Sequence, residues 1–388
     1  MYTIYLTTRC NYRCSYCYED YGYETDMSQN QIINVVDYIF KYDKNQKINI
    51  GFMGGEPLLK KDIIFLVVDY IKKKYPDRNI KYYMTSNASL ITRDFVDFMK
   101  NNNFELRISL DGSRSTNNQN RYSKNKIDYY GEIFNHLKFM SETKLKYSIR
   151  MTVAKNAITD LYDNIKYLYE TFSEPINLIF DINMIIDDTV EDLIRKEIKK
   201  IENYYVSKNL CSNKSGLTID QFDGKFVNVL SNFENRFGMC SAGISSFNFM
   251  PDGKIYPCGF LTNNDKFSIG DINEPINTCM SKRLAISLVE KEKTKCNDCK
   301  IKFFCHGMKC GYKNYIRTSK INVPSDSTCK IEKIFYSSVM NILNCFLNDE
   351  NTDNILGRKL KSIIKSIDYT GLQLSDFGEL IKNKVEII

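Results

Sequence analysis

No apolar run in this chain approaches the ~20 residues that a bilayer-spanning helix needs, so nothing in it reads as a membrane span. The opening stretch, Tyr2 to Leu6, lacks the basic start and long apolar core of a secretory signal, and the expected location is therefore the cytoplasm. Low-complexity tracts are missing as well. With 43% hydrophobic and 26% charged residues among 388, the composition is that of a globular protein and not of a disordered one. No block of one charge dominates either: the net charge of +7 is interleaved with 47 acidic residues, and the densest run, Lys72 to Lys74, follows a helix-like stretch and reads as a solvated helix end. Neither nucleic acid nor membrane is an expected partner. Histidine is scarce, with only His136 and His306 in the chain.

What is plentiful is cysteine, at 13 residues. Cytosolic thiols stay reduced and the chain is far larger than disulfide-stapled scaffolds, so metal binding is the leading explanation. The length predicts two or three structural units, since single cores stop growing at roughly 250–300 residues.

Short β-rich stretches alternate with helical ones through the first half. Tyr2 to Leu6, Lys47 to Met53, Ile80 to Met84, Phe104 to Leu110, Lys146 to Val153 and Ile176 to Ile182 read as strands. Amphipathic segments such as Gln29 to Tyr42 and Asp62 to Lys74 separate them, with Ser28 placed to cap the first helix. This series predicts an α/β fold with a parallel sheet curved into a partial barrel, whose chemistry gathers at the C-terminal ends of the strands. The suspicious residues do follow the strands: Cys10 to Cys17 after the first, Gly54-Gly55-Glu56-Pro57 after the second, Ser86-Asn87 after the third and Asp111-Gly112 after the fourth. Beyond about Glu191 come helices, then a cysteine-bearing region from Cys240 to Cys329 with hairpin-like pieces around Pro251-Asp252-Gly253, and a helical tail.

Cys10-Asn-Tyr-Arg-Cys14-Ser-Tyr-Cys17 puts three thiols within eight residues. Three thiolates on a 4Fe–4S cluster leave one iron for a small chelating molecule, whereas an ordinary electron carrier supplies four. Zinc is the alternative, although neither histidine lies near in sequence.

The Cys-x3-Cys-x2-Cys spacing, with aromatic Tyr16 before its last cysteine, resembles the radical S-adenosylmethionine (radical SAM) superfamily. The resemblance implies that the cofactor's amino and carboxylate groups chelate the open iron, and that one electron cleaves the sulfonium to methionine and a 5′-deoxyadenosyl radical that abstracts hydrogen. Gly54, Gly55, Glu56 and Pro57 resemble the family's glycine-rich motif, where backbone groups and the glutamate meet the cofactor's ammonium. Thr85-Ser86-Asn87 and Ser109-Leu110-Asp111-Gly112 resemble the strand ends that line its ribose and methionine, and Arg121 resembles a partner for its carboxylate.

Cys240 and Cys258 frame a Pro-Asp-Gly turn, and Cys296-x2-Cys299-x5-Cys305-x4-Cys310 and Cys329 follow. The pattern resembles the SPASM extension of radical SAM enzymes, which holds two auxiliary 4Fe–4S clusters and is common among enzymes that modify peptides and proteins. A zinc ribbon from the central four cysteines is the alternative. The resemblance assigns Cys240, Cys258 and Cys310 to a nearer cluster and Cys296, Cys299, Cys305 and Cys329 to a farther one. The spacing before Cys310 is four residues, against three in the family, and the eighth cysteine of fully ligated members has no counterpart between Ser231 and Met239. A nearer cluster with a vacant iron implies members that bind a substrate thiolate and close a thioether between a peptide cysteine and another residue's carbon. Carbon–carbon crosslinking and formylglycine formation in sulfatases are the rival activities, and a non-catalytic iron–sulfur or zinc scaffold is the reading outside enzymology. Cys211, Cys279 and Cys345 read as small buried hydrophobes.

The expected organisation is a radical SAM core over 1–205, a bridging helical segment over 206–235, a SPASM domain over 236–335 and a helical tail over 336–388. Expected partners are a ribosomally made peptide or protein substrate, a reductant such as flavodoxin or ferredoxin, and a separate leader-binding protein. Met1 directly precedes the first strand, with no winged-helix-like domain ahead of it, and the amphipathic pattern of Leu372 to Ile388 suits packing against the barrel. No general base is named by the pattern; Asp181, near the end of the sixth strand, is the first place to look.

Overall fold

The computed structural model describes residues 1–19, 22–211, 216–230, 241–279, 281–282, 295–305, 310–321, 323–349 and 353–366. Cys240, His306, the stretch from Ser231 to Met239 and the tail pattern from Leu372 to Ile388 lie outside the described residues. Two compact units divide the chain, one of residues 1–110, 117–149 and 239–291, the other of 111–116, 150–238 and 292–388.

The strands are β1 (Tyr2–Tyr5), β2 (Tyr12–Cys14), β3 (Lys47–Met53), β4 (Asn79–Ser86), β5 (Phe104–Ser109), β6 (Arg121–Ser123), β7 (Tyr147–Val153), β8 (Ile176–Phe180), β9 (Phe247–Phe249), β10 (Lys254–Tyr256) and β11 (Gly270–Asp271). Each of the six strands expected from the alternating pattern is present, within two residues at either end.

In the first unit the sheet order is β11-β10-β9-β1-β3-β4-β5, followed by the start of β7. The pairs β1–β3, β3–β4, β4–β5 and β1–β9 are parallel. The register puts Ile4, Ile50, Phe52, Leu106 and Ile108 on one face, where all five are fully buried, while Asn49, Lys81, Glu105 and Arg107 on the other face keep some exposure. Phe52, Tyr82 and Phe104 stack across three adjacent strands with ring centroids 5.9 and 4.9 Å apart. Ser28 does cap the helix Gln29–Tyr42: its Oγ accepts from the Gln31 N–H at 3.3 Å, while the Gln31 side chain accepts from the Ser28 N–H at 2.8 Å. Ile32, Val35, Val36 and Ile39 then form one apolar stripe on the sheet, each burial contributing roughly 1.5–3 kcal/mol. The Pro251-Asp252-Gly253 turn closes an antiparallel β9–β10 hairpin, and β9 adds this hairpin to the edge of β1. The parallel strands β1, β3 and β4 thus deliver the segments after Tyr5, Met53 and Ser86 to one edge of the sheet.

In the second unit the end of β7, Arg150 to Val153, lies beside β8. Helices Asp188–Asn209, Asp220–Leu230 and Asp326–Leu347 bring Tyr205, Phe222 and Phe335 together edge to face, at 5.2 and 5.8 Å. Among the described residues no helix is long and apolar enough to cross a membrane.

Candidate active site

The cysteine loop after β1 is held more tightly than its sequence suggests. Tyr12, Arg13 and Cys14 pair antiparallel with Ser123, Tyr122 and Arg121. The Ser15 N–H donates to the Asn120 carbonyl at 2.9 Å and the Lys124 N–H to the Asn11 carbonyl at 2.9 Å, closing the ribbon at both ends. Cys10 and Cys14 are half-buried and Cys17 is exposed. Tyr16 lies under the Arg121 guanidinium, 5.2 Å from ring centre to its carbon.

Gly54 and Gly55 permit close approach, and what approaches is the chain leading into Cys10. The Gly55 N–H donates to the Thr7 carbonyl at 3.0 Å and the Glu56 N–H to the Arg9 carbonyl at 2.9 Å. A Cβ on Gly55 would sit 2.3 Å from the Arg9 carbonyl oxygen and 2.9 Å from Cys10 Cβ. Gly54 adopts φ +149°, and a Cβ there would lie 2.4 Å from the Thr7 carbonyl oxygen.

Glu56 is fully buried. It accepts from the Leu58 N–H at 3.1 Å, the Ser86 hydroxyl at 2.8 Å and the Asn87 N–H at 2.8 Å, and so ties the end of β3 to the end of β4. Burial outweighs these donors and pushes its carboxyl up to about 7. A carboxylate offers about four acceptor positions, and among the described residues these three donors fill three of them. Pro57 opens the short helix Pro57–Lys60 that Glu56 caps.

Asn87 joins this brace to the cysteine loop: its Nδ2 donates to Asn11 Oδ1 at 2.9 Å, and Asn11 Nδ2 donates to Ser89 Oγ at 2.9 Å. Next to it Ala88 is buried with φ +62°, and His136 Nδ1 holds its carbonyl at 2.9 Å. A carbonyl only accepts, so Nδ1 carries the hydrogen.

Ser109 ends β5. In the other unit Asp111 is fully buried and its Oδ1 accepts from the Thr152 N–H at 2.9 Å, fixing the turn after β5. Asn164 completes that turn: its Oδ1 accepts from the Ser113 N–H at 2.8 Å, and its Nδ2 donates to Thr116 Oγ1 and the Asp160 carbonyl. Asp181 accepts from the Asn183 N–H at 2.9 Å, a turn-forming bond at the end of β8.

The second unit also gathers four of the later cysteines. The Cys305 thiol is pushed up to about 12, by burial first and then by Glu332; Lys225 opposes this, and the charges of Cys299 and Cys296 add to it. Cys329 is raised by burial, against Lys295 and with Cys296 and Cys299 again adding. These thiols are therefore within electrostatic reach of one another. Among the described residues no three His, Cys, Asp or Glu side chains gather as a single-ion metal site requires. Cys310 stands just before the helix Gly311–Thr318 without a side-chain capping bond, and Cys258, in the first unit, precedes the turn Gly259–Leu261. Cys279 is buried, as expected of a small hydrophobe, whereas Cys211 and Cys345 are exposed.

Asn11, Asn164 and His136 escaped the sequence pattern. Asn164 did leave a signal, a polar residue on the apolar stripe Leu161, Ile165, Leu168 of its helix.

Residues 4–157 match the Radical SAM superfamily. The chain is 28% identical over 315 residues to a cysteine-type anaerobic sulfatase-maturating enzyme of Clostridium novyi, covering 76% of this chain and 83% of the relative. Its fold is that of the solved structure described as native anSMEcpe with bound AdoMet, with a TM-score of 0.75 and 20% identity over 89% of this chain and 99% of the other. The structure of Streptococcus suis SuiB bound to precursor peptide SuiA follows at a TM-score of 0.60, with 17% identity over 84% of this chain and 75% of that one.

The superfamily implies S-adenosylmethionine and a 4Fe–4S cluster, and the residues present fit both. Burial pushes the Cys10 thiol up to about 12, Glu56 adds to the effect, and Cys14 and Cys17 add further. The shift keeps the Cys10 thiol protonated unless a cation offsets it, and cluster iron would be such a cation.

Proposed function

We propose that this radical SAM enzyme abstracts hydrogen from one residue of a ribosomally made peptide or protein and closes a thioether between that carbon and a substrate cysteine. The observation that carries the protein-modifying part is the similarity to a sulfatase-maturating enzyme over 76% of the chain, together with the three-cysteine ribbon and its glycine brace. The thioether part rests on seven cysteines from Cys240 to Cys329, excluding Cys279, where fully ligated members carry eight.

When bound, the cofactor and cluster supply one-electron cleavage of a sulfonium to a 5′-deoxyadenosyl radical. Cys10, Cys14 and Cys17 would hold the cluster, and the backbone of Gly54 to Pro57 with the Glu56 carboxylate would bind the cofactor's ammonium. By the sequence resemblance, Ser86, Asn87, Ser109 and Asp111 would contact its ribose and methionine, and Arg121 would pair with its carboxylate. By the same resemblance, Cys240, Cys258 and Cys310 would hold the nearer auxiliary cluster and Cys296, Cys299, Cys305 and Cys329 the farther one, and an iron of the nearer cluster without a protein ligand would offer a place for a substrate thiolate. Each link removes two hydrogens from the substrate: one as an atom to the radical, the other as the thiol proton. One electron returns to the flavodoxin or ferredoxin partner, and a separate protein presents the leader.

A second reading, oxidation of a cysteine to formylglycine, is favoured by the name of that same relative. Anaerobic turnover with the peptide encoded beside this gene separates the two. The expected product is lighter by two hydrogens per link and has no cysteine left for alkylation. An aldehyde-reactive product, or a lighter product that keeps its thiols, overturns the thioether.

A further inference from the structure

Arg121 sits where its charge acts on more than a small-molecule carboxylate. The β2–β6 register sets it opposite Cys14. Its Nη1 donates to Cys14 Sγ at 3.8 Å, and its guanidinium lies over the Tyr16 ring, between Cys14 and Cys17 in sequence. The residue is only 8% exposed, so its charge is little screened by solvent. Ser15 Oγ donates to Asn120 Oδ1 at 3.2 Å, beside the Ser15 N–H bond to the Asn120 carbonyl, and this double contact fixes the ribbon at the residue before Arg121. The guanidinium is thus held at a cluster-ligand sulfur by the backbone pairing itself.

We propose that Arg121 sets the reduction potential of the cluster held by Cys10, Cys14 and Cys17, by donating an N–H to the Cys14 sulfur from a buried, aromatic-backed position. The inference rests on the reading that these three thiolates carry a 4Fe–4S cluster, and it gives Arg121 a second role besides the cofactor carboxylate. Reduction adds one electron from a low-potential donor and breaks no bond, so the cluster and its thiolates become more negative by one charge. A fixed cation and an N–H···S bond stabilise that state more than the oxidised one, and hydrogen bonds to the sulfurs are among the factors that set such potentials. Arg121 therefore makes the cluster easier to reduce before any substrate arrives.

The test is an EPR-monitored redox titration of the reconstituted full-length enzyme without S-adenosylmethionine, with dithionite as the electron donor. The signal is assigned as the component lost in a Cys10→Ser, Cys14→Ser, Cys17→Ser variant. Arg121→Met and Arg121→Gln are both expected to hold full iron and sulfide and to shift that component's midpoint to more negative potential. Cofactor affinity, measured separately by equilibrium dialysis, follows the carboxylate role alone. A midpoint equal to wild type in either variant, even with weakened cofactor binding, overturns the inference. Loss of the cluster in both variants overturns it too, because Arg121 would then be needed to hold the cluster. A wild-type protein without the assigned component overturns the underlying cluster reading and is distinguished from both outcomes.

Discussion

At Gly55 the missing side chain is a matter of space between two stretches of backbone. The Arg9 carbonyl and Cys10 Cβ that an added methyl would meet cannot swing aside as a flexible side-chain end could. Gly55→Ala is therefore expected to displace the Arg9–Cys10 peptide and lower the iron and sulfide content of the reconstituted enzyme, while far-UV circular dichroism stays unchanged. Full cluster content in the variant would show that the close approach is dispensable. The glycines themselves were readable as markers of close approach, but the partner was not, because Thr7 and Arg9 lie about 47 residues away in sequence. Glu56 carries a pH prediction. Its carboxyl is pushed up from 4.5 to about 7, so the folded protein binds that proton more tightly than the unfolded chain. The resulting stability is fully present below about pH 4.5 and is lost as pH rises through about 7, at most roughly 3 kcal/mol at 1.36 kcal/mol per unit. The thermal midpoint of the cofactor-free protein should fall across this window, and Glu56→Gln should flatten the fall. An unchanged slope in the variant would assign the pH dependence to other groups.

At the scale of elements, strands and helices were legible where burial imposes a period. The helix Gln29–Tyr42 shows its stripe and its capping box in sequence, and β3 shows a continuous apolar core from Ile50 to Phe52 with a buried Gly51. The β2–β6 ribbon was not legible: it consists of two three-residue strands, with no run long enough to show alternation. Its partners are also 107 residues apart at Cys14 and Arg121, a pairing that no local propensity encodes. The turn after β5 depends in the same way on Asn164, a residue of a distant helix. Asn164→Ala leaves the Ser113 N–H without that acceptor, at a cost of about 1–3 kcal/mol. If Asp111 lines the cofactor, S-adenosylmethionine binding should weaken about tenfold for each 1.4 kcal/mol that falls on the site. Equilibrium dialysis checks this, and unchanged affinity with a lowered thermal midpoint would make the turn a purely structural device.

At the scale of the whole molecule, the cysteines beyond residue 290 belong to a unit that also contains the end of β7, β8 and the helices after it. Within that unit they are held by contacts from distant parts of the chain. Asn228 donates to the Phe304 carbonyl at 2.8 Å, and Lys225 pairs with Glu332 at 2.5 Å beside Cys305. Ser325 caps the helix that carries Cys329, accepting from the Thr328 N–H at 3.2 Å. If these cysteines hold the cluster proposed for them, the contacts fix its place within this unit. A Cys296→Ser, Cys299→Ser double variant should therefore lose about four irons and about four sulfides per chain, yet still cleave S-adenosylmethionine to 5′-deoxyadenosine, because the Cys10 to Cys17 ribbon is built in the other unit. Loss of one zinc with iron and sulfide unchanged would turn the second cysteine region into a structural metal site and overturn the cluster proposed for it.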